Sequence, residues 1–140
     1  MRQQGAHEVF DHTKADYLDA IRERTQGKGV QIILEMLANK NLANDLKLLA
    51  VHGRVVIIGS RGPIEINPRD TMARELDIRG VMGGHATQAE IAECHDAILT
   101  GLDNGTLCPA IAEEMPLAEA PKAHELVMSA KPPGKIILVP

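Results

Sequence analysis

Tryptophan is absent from this sequence, and Phe10 and Tyr17 are its only other large aromatic residues. Without such rings the chain lacks a surface on which unpaired nucleobases could stack. The formal net charge is -4 and the isoelectric point is near 5.8, which argues against an extended face that binds a polyanion. RNA binding therefore has little support from composition, and aliphatic side chains must fill the core.

Sequence motifs of several enzyme classes are also missing. The chain contains no GxSxG, no GxxxxGKS or GxxxxGKT, no HExxH, and no GxGxxG to seat a dinucleotide pyrophosphate. Cys94 and Cys108 form no CxxC pair, and the histidines lack ligand spacing. We therefore expect no metal site. No apolar run approaches the roughly 20 residues that span a bilayer, so we expect a cytoplasmic protein with reduced cysteines.

Two short apolar runs dominate the first half of the chain, at residues 30–36 and 54–58. Because neither run alternates apolar with polar residues, each is predicted to be a strand buried on both faces of a parallel sheet. The residues between them predict a helix, which completes a βαβ unit. Its apolar stripe is formed by Leu42, Leu46 and Leu49.

Capping signals set the expected helix boundaries. The helix of the βαβ unit is predicted to begin at Asn41 or Asn44 and to end at Gly53. An earlier helix is predicted to begin with a capping box formed by Thr13 and Asp16.

The remaining helices and strands are predicted from turn residues, capping residues and the alternation of charged with apolar side chains. Residues 7–10 predict a short strand, and residues 76–82, where charges alternate with apolar side chains, predict an edge strand. Thr87 and Glu90 form a capping box for a helix on which Cys94 is expected to be a core residue. A last helix and strand are predicted at 118–129 and 135–139.

This alternation predicts an α/β fold with a Rossmann-like, doubly wound parallel sheet. In open sheets of this kind, ligands bind beyond the carboxyl ends of the strands. The polar segments that follow the two apolar strands, residues 37–41 and 59–62, are therefore the predicted functional tips.

Residues 59–62, which read Gly-Ser-Arg-Gly, are the strongest candidate site. The glycines allow a ligand to approach the backbone, and Arg61 can pair with a phosphate or stack on a ring. A plain turn is the alternative. Asn39 and Asn41 carry amides suited to a ribose or carboxamide group, although Asn41 could instead cap a helix. His12 could contact a nucleobase or ribose, or lie exposed in a turn.

Several stretches, which together run almost end to end, resemble one known family. They are similar to the zeta-crystallin and NADPH:quinone oxidoreductase branch of the zinc-free medium-chain dehydrogenases and reductases, and the GSRGxIEINPRDTMA run is specific to that branch. The stretches are GAHEVFDH, IILEMLANKNL, GRVVIIGSRGPIEINPRDTMARE, PLAEAPKAHELV and GKIILV.

The resemblance implies an enzyme that transfers hydride from NADPH to a quinone or an activated alkene. Family chains are longer, begin with a GroES-like catalytic domain and carry the glycine-rich turn upstream. Residues 1–140 are therefore expected to form a partial nucleotide-binding domain, without the first βαβ unit and with an exposed hydrophobic edge. Alone, it should bind NADPH weakly or not at all. The family also implies a homo-oligomer, a dimer or a tetramer.

Position by position, the resemblance places His12 near the adenosine end of NADPH and residues 58–61 beside the nicotinamide end. Asn41, with Asn39 as its neighbour, is implied as a further contact. The implied cofactor-binding residues are His12, Asn39, Asn41, Ile58, Gly59, Ser60 and Arg61. No catalytic residue is implied, because the quinone pocket belongs largely to the upstream domain.

Two alternatives compete with this assignment. The chain could be a non-enzymatic module that mediates oligomerisation or binding through exposed edges at 30–36 and 76–82. An adenosylmethionine-dependent methyltransferase would share the α/β alternation, although the 59–70 run and the tail argue against it.

Overall fold

The computed structural model describes residues 2–129 and 134–140, which divide into two compact units. The first unit is Met1–Ala86 and the second is Thr87–Pro140. All the paired strands are parallel, so the predicted α/β class with parallel strands is confirmed. In the described part of the chain the strands form a three-stranded and a two-stranded sheet rather than one continuous sheet.

The first unit contains three helices and three strands, apart from short turns, in its described residues. The strands pair in the order β1-β2-β3. In chain order the elements are α1 (Tyr17–Arg24), β1 (Val30–Glu35), α2 (Ala38–Leu48), β2 (Leu49–Ile57), α3 (Arg69–Met72) and β3 (Asp77–Gly80).

Parallel register brings the carboxyl ends of β1 and β2 side by side. Glu35 is opposite Ile57, and Ile57 is in turn opposite Gly80 on β3. The loops that leave β1 and β2 therefore start at the same edge of the sheet, as predicted. β3 lies at the far edge of this sheet, which confirms its prediction as an edge strand.

The core of this unit lies between α2 and one face of the sheet. Helical spacing places the leucines of α2 and of its junction with β2 on the buried side, where they meet Val55. Leu46, Leu49 and Val55 are at most 1% exposed. The predicted apolar stripe of α2 is thus confirmed. The buried cluster consists of Ala38, Leu42, Leu46, Leu49 and Val55.

The prediction that β1 is buried on both faces is wrong. Side chains alternate across a strand, and α2 covers only the face that carries Ile33 and Glu35. On the opposite face Ile32 and Leu34 are 64% and 66% exposed. An exposed hydrophobic edge was expected, and β1, which carries these two exposed side chains, lies at one edge of the three-stranded sheet.

Several predicted boundaries also need correction. Residues 7–10 form no strand. Thr13 does not cap α1, because its hydroxyl and N–H both bind Asp11, and the helix starts only at Tyr17. α2 begins at Ala38, so neither Asn41 nor Asn44 is its N-cap, and β2 already begins at Leu49 rather than after Gly53.

The second unit begins with the predicted capping box. The Thr87 hydroxyl accepts from the Glu90 N–H at 3.3 Å, and the Glu90 carboxylate accepts from the Thr87 N–H at 2.8 Å. Cys94 is exposed, so its prediction as a core residue is wrong. The elements are α4 (Gln88–Asp103), β4 (Ile111–Pro116), α5 (Ala120–Met128) and β5 (Lys135–Val139), with β4 and β5 paired.

None of the helices in the described residues combines the length and the apolar character that crossing a membrane would require.

Candidate functional site

The two predicted tips are joined by backbone hydrogen bonds at the carboxyl edge of the sheet. The N–H groups of Ile58 and Gly59 donate to the Glu35 carbonyl at 2.8 and 3.2 Å. In return, the Ala38 N–H donates to the Gly59 carbonyl at 2.9 Å. These bonds extend the β1–β2 pairing beyond the strands and place the start of α2 against the loop that follows β2.

A side chain completes this connection. Asn39 Oδ1 accepts a hydrogen bond of 3.0 Å from the Arg61 N–H. The Ser60 hydroxyl donates to the Gly62 carbonyl at 3.1 Å. Arg61 itself is exposed, and its guanidinium makes no hydrogen bond or ion pair within the described residues. The loop therefore has a defined backbone and a cationic side chain available to a ligand.

Gly59 is required here for close approach rather than for an unusual backbone angle. A Cβ at this position would lie 2.3 Å from the Met36 carbonyl oxygen. This distance is too short for any residue that has a side chain. Gly62 differs, because a Cβ there would meet no atom within 4 Å. The first glycine of the loop is thus needed for contact between the tips, whereas the second is not.

A cleft of about 470 Å³ runs along β1, from Val30 to Glu35. His12 and Asn41 both line it, so the structure brings together two of the predicted site residues. Glu35 and Asp45 lie in the same cleft, with Tyr17 and several aliphatic side chains as its remaining wall. Asn41 points its amide into this region and does not act as a helix cap, which removes that alternative.

The predicted residues therefore form two groups. Asn39 belongs with the loop of Gly59, Ser60 and Arg61, whereas Asn41, two residues further along α2, belongs with the cleft. Ile58 is 45% exposed at the start of the loop.

Sequence analysis missed the two buried acids of the cleft. Glu35 and Asp45 are only 6% and 7% exposed. Glu35 Oε1 accepts from the Leu37 N–H and from Asn41 Nδ2, the latter at 3.1 Å. In the described part of the chain nothing donates to Asp45 Oδ2. The sequence did contain signals for these buried acids. Glu35 ends an apolar strand, and Asp45 lies within the leucine stripe of α2.

Burial raises the pKa of Asp45 to about 7, and the adjacent Glu35 adds to this by hydrogen bonding and by charge. Near neutral pH the protonated form of Asp45 is therefore well populated in the folded chain. A carboxyl group that carries its proton can donate a hydrogen bond, and the adjacent Glu35 Oε1 accepts from two N–H groups.

The chain was compared with known proteins. Residues 4–138 match the zinc-binding dehydrogenase family. This chain is a member of that family. It is 49% identical over 138 residues to the quinone oxidoreductase of Rattus norvegicus, and the match covers 98% of this chain but only 42% of the relative. The resemblance to quinone oxidoreductases noted in the sequence is confirmed.

Solved structures agree on the fold. A 2-haloacrylate reductase matches 99% of this chain with a TM-score of 0.85 at 26% identity, and the match covers 45% of that protein. The quinone oxidoreductase of Pseudomonas syringae pv. Tomato DC3000 matches 99% of this chain with a TM-score of 0.82 at 25% identity, and the match covers 44% of that protein. The predicted Rossmann-like class is thereby confirmed.

The name of the family refers to zinc, and the described residues do not fit a zinc site. Among them no three His, Cys, Asp or Glu side chains come together. Both cysteines, Cys94 and Cys108, are free and exposed. Zinc sites in proteins need three or four such ligands, so this part of the chain supplies no ligand set for the metal.

Proposed function

We propose that this chain is the cofactor-binding part of an NADPH-dependent quinone oxidoreductase. The observation that carries the proposal is the pair of joined tips at the carboxyl edge of a parallel sheet, where folds of this type bind ligands. The identity to the rat quinone oxidoreductase supports the substrate class. Because the chain spans 42% of that relative, we further propose that a GroES-like catalytic domain and the glycine-rich turn precede it in the complete protein.

The residues present fit a dinucleotide. Arg61 is exposed on the loop and its guanidinium is unpaired within the described residues, while His12 and Asn41 offer polar groups in the cleft. When bound, NADPH supplies a hydride, and a quinone that takes up this hydride and a proton becomes a hydroquinone.

Each group of site residues has a distinct proposed role. The loop of residues 58–61 lies beside the nicotinamide end, and Asn39 keeps its backbone in one arrangement through the Arg61 N–H. His12 and Asn41 offer polar contacts in the cleft, towards the adenosine half for His12. A cleft that contains two acids suits hydroxyl and amide donors better than phosphate oxygens. We assign no catalytic residue within this chain.

A fusion protein tests the proposal. The part of the rat quinone oxidoreductase that precedes the matched region would be joined to residues 1–140, with the intact rat enzyme as the positive control. Oxidation of NADPH and of NADH is followed by absorbance in the presence of 1,4-benzoquinone. We expect turnover with a preference for NADPH. A folded fusion protein without turnover would contradict the proposed activity, and an equal rate with NADH would contradict the cofactor preference.

The unfused chain provides a second measurement. We expect calorimetric titration of residues 1–140 with NADPH to give weak binding or none, because the sequence contains no GxGxxG turn to hold the pyrophosphate. Micromolar binding would show that the cleft and loop suffice on their own. We propose a cytoplasmic location for the complete protein.

One observation favours a second function, a module for assembly. The outer face of β1 carries Ile32 and Leu34, both mostly exposed, and β3 has a free edge on which all four residues are exposed. Surfaces of this kind pair with other chains. Sedimentation should then show a dimer or tetramer, whereas a strict monomer at high concentration would contradict this function and the proposed homo-oligomer.

A further inference from the structure

We infer that Glu35 is a positioning residue, which holds the side-chain amide of Asn41 in a single orientation so that its oxygen is presented to the ligand in the cleft. The inference rests on the proposed function, because it takes Asn41 to be a contact of the cofactor. It assigns to Glu35 no contact of its own with that ligand.

The argument starts from what each group can donate and accept. An asparagine amide has two donors on Nδ2 and an acceptor at Oδ1, and its two orientations differ little in shape. A carboxylate only accepts. Glu35 Oε1 lies 3.1 Å from Asn41 Nδ2, so the nitrogen must face Glu35. Oδ1 and the second N–H of Asn41 are left for other partners.

Glu35 is itself held firmly enough to impose this orientation. It is 6% exposed, at the end of β1, and the Leu37 N–H donates to the same Oε1 atom. Asn41 lies in the first turn of α2, where its own N–H donates to the Leu37 carbonyl at 3.3 Å. Strand, loop and helix are therefore joined at one carboxylate oxygen.

Asp45 is the second buried acid beside this contact. It lies one helical turn beyond Asn41, on the same side of α2, and is 7% exposed beside Glu35. Two ionised carboxylates at this depth would repel each other, which adds to the effect of burial in raising the pKa of Asp45. Asp45 has the raised pKa, whereas Glu35 accepts from the Leu37 N–H and from Asn41 Nδ2.

The chemistry of the ligand follows from this arrangement. The acceptor offered by Asn41 suits a hydroxyl or an amide N–H, as in the ribose or carboxamide groups of a dinucleotide. An amide turned the other way would present a donor and would select an acceptor instead. The specificity of this contact thus depends on a residue that does not touch the ligand.

Nuclear magnetic resonance of the full 140-residue chain without cofactor tests the orientation directly. The side-chain amide of Asn41 is identified by its loss in Asn41→Ala. We expect one of its protons to be shifted downfield by the Glu35 carboxylate. Glu35→Asp, which keeps the charge but shortens the reach, should abolish that shift, whereas Glu35→Gln, which keeps an acceptor at the same distance, should retain it.

The Asn39 amide is the internal control, since its oxygen is bound to the Arg61 N–H and its resonances should be the same in all variants. An Asn41 signal that is identical in Glu35→Asp and the parent chain would overturn the inference. If Glu35→Asp does not fold, the spectrum of the parent chain alone tests the inference. An Asn41 amide without a downfield proton in that spectrum would show that it has no carboxylate partner.

The KM for NADPH in the fusion protein connects the orientation to function. We expect Glu35→Met to raise this KM about tenfold and Glu35→Gln to raise it less than threefold. In Asn41→Ala, adding Glu35→Met should have almost no further effect, because Glu35 acts through Asn41. Additive effects of the two substitutions would overturn the inference. Absence of any turnover would defeat the proposed function, while the amide resonance would still decide the orientation.

Discussion

The backbone N–H of Arg61 donates a 3.0 Å hydrogen bond to Asn39 Oδ1, although the two residues are 22 positions apart. The bond joins the first turn of α2 to the loop after β2. Both segments follow strands whose carboxyl ends are adjacent, so this side chain adds a bond between two tips that backbone hydrogen bonds already join.

Asn39→Ala should release the loop without unfolding the unit. An exposed hydrogen bond of this kind contributes about 0.5 to 1.5 kcal/mol, so we expect the Arg61 amide proton to exchange with solvent about tenfold faster. Hydrogen exchange followed by magnetic resonance measures this. Asn44→Ala on the same helix is the control, because Asn44 has no side-chain hydrogen bond within the described residues. Equal exchange in both variants would show that Asn39 does not hold the loop.

Gly59→Ala should destabilise the first unit, because its methyl group would overlap the Met36 carbonyl oxygen and force the two tips apart. Overpacking of this type costs about 1 to 3 kcal/mol. Gly62→Ala is the matched control in the same loop, and its added methyl group meets no atom within 4 Å. Urea denaturation should show a lower midpoint for the first variant alone. Similar midpoints would argue against the close approach of Gly59 and Met36.

Asp45 should make the stability of the chain fall as pH rises from about 4 to about 7. In the unfolded chain its pKa has the ordinary value of 3.8, whereas burial raises the pKa to about 7 in the folded chain. Across this window the unfolded state has lost the proton that the folded state retains, so stability decreases, by at most about 1.4 kcal/mol per pH unit. Above pH 7 the two states bind the same number of protons at this site.

Asp45→Asn removes this dependence, because its amide donates to Glu35 without titrating. We expect the variant to be more stable than the parent chain at pH 8, and the difference to shrink towards pH 4. Urea denaturation at pH 4, 6 and 8 measures it, with Asp96→Asn on the exposed surface of α4 as the control. Parallel pH profiles for Asp45→Asn and the parent would contradict the raised pKa.

Thr87→Ala should weaken the start of α4. Loss of the capping hydroxyl leaves the Glu90 N–H without its acceptor and costs about 1 kcal/mol. We expect the Glu90 amide proton to exchange about fivefold faster. Thr100→Ala, an exposed substitution of the same type within the helix, should cause no such change. A Glu90 amide that exchanges equally in both variants would mean that the cap contributes nothing.

The sequence was sufficient for elements that local pattern determines. The leucine spacing of α2, the capping box of Thr87 and the paired ends of β1 and β2 each follow from periodicity or turn chemistry. The start of α2 did not follow, because the Ala38 N–H is satisfied by the Gly59 carbonyl from another strand. A helix that begins through a tertiary contact needs no Asn41 cap.

The exposed face of β1 and the acids of the cleft could not be predicted for related reasons. An apolar strand reveals that a residue such as Ile32 favours burial, but it does not reveal whether another layer covers it. Glu35 and Asp45 are 10 positions apart in the sequence, and only the packing of α2 on β1 brings their carboxyl groups together. In the same way, the sequence does not distinguish the roles of Asn39 and Asn41. In the structure, Asn39 bonds to the Arg61 N–H and Asn41 bonds to Glu35.

The uncovered aliphatic face formed by Ile32 and Leu34 makes temperature a determinant of how this chain behaves in solution. Near room temperature the removal of such a face from water has almost no enthalpy and a large negative heat capacity, so the attraction weakens on cooling. Contacts made through this face should therefore loosen in the cold and tighten on warming, opposite to contacts held by hydrogen bonds alone.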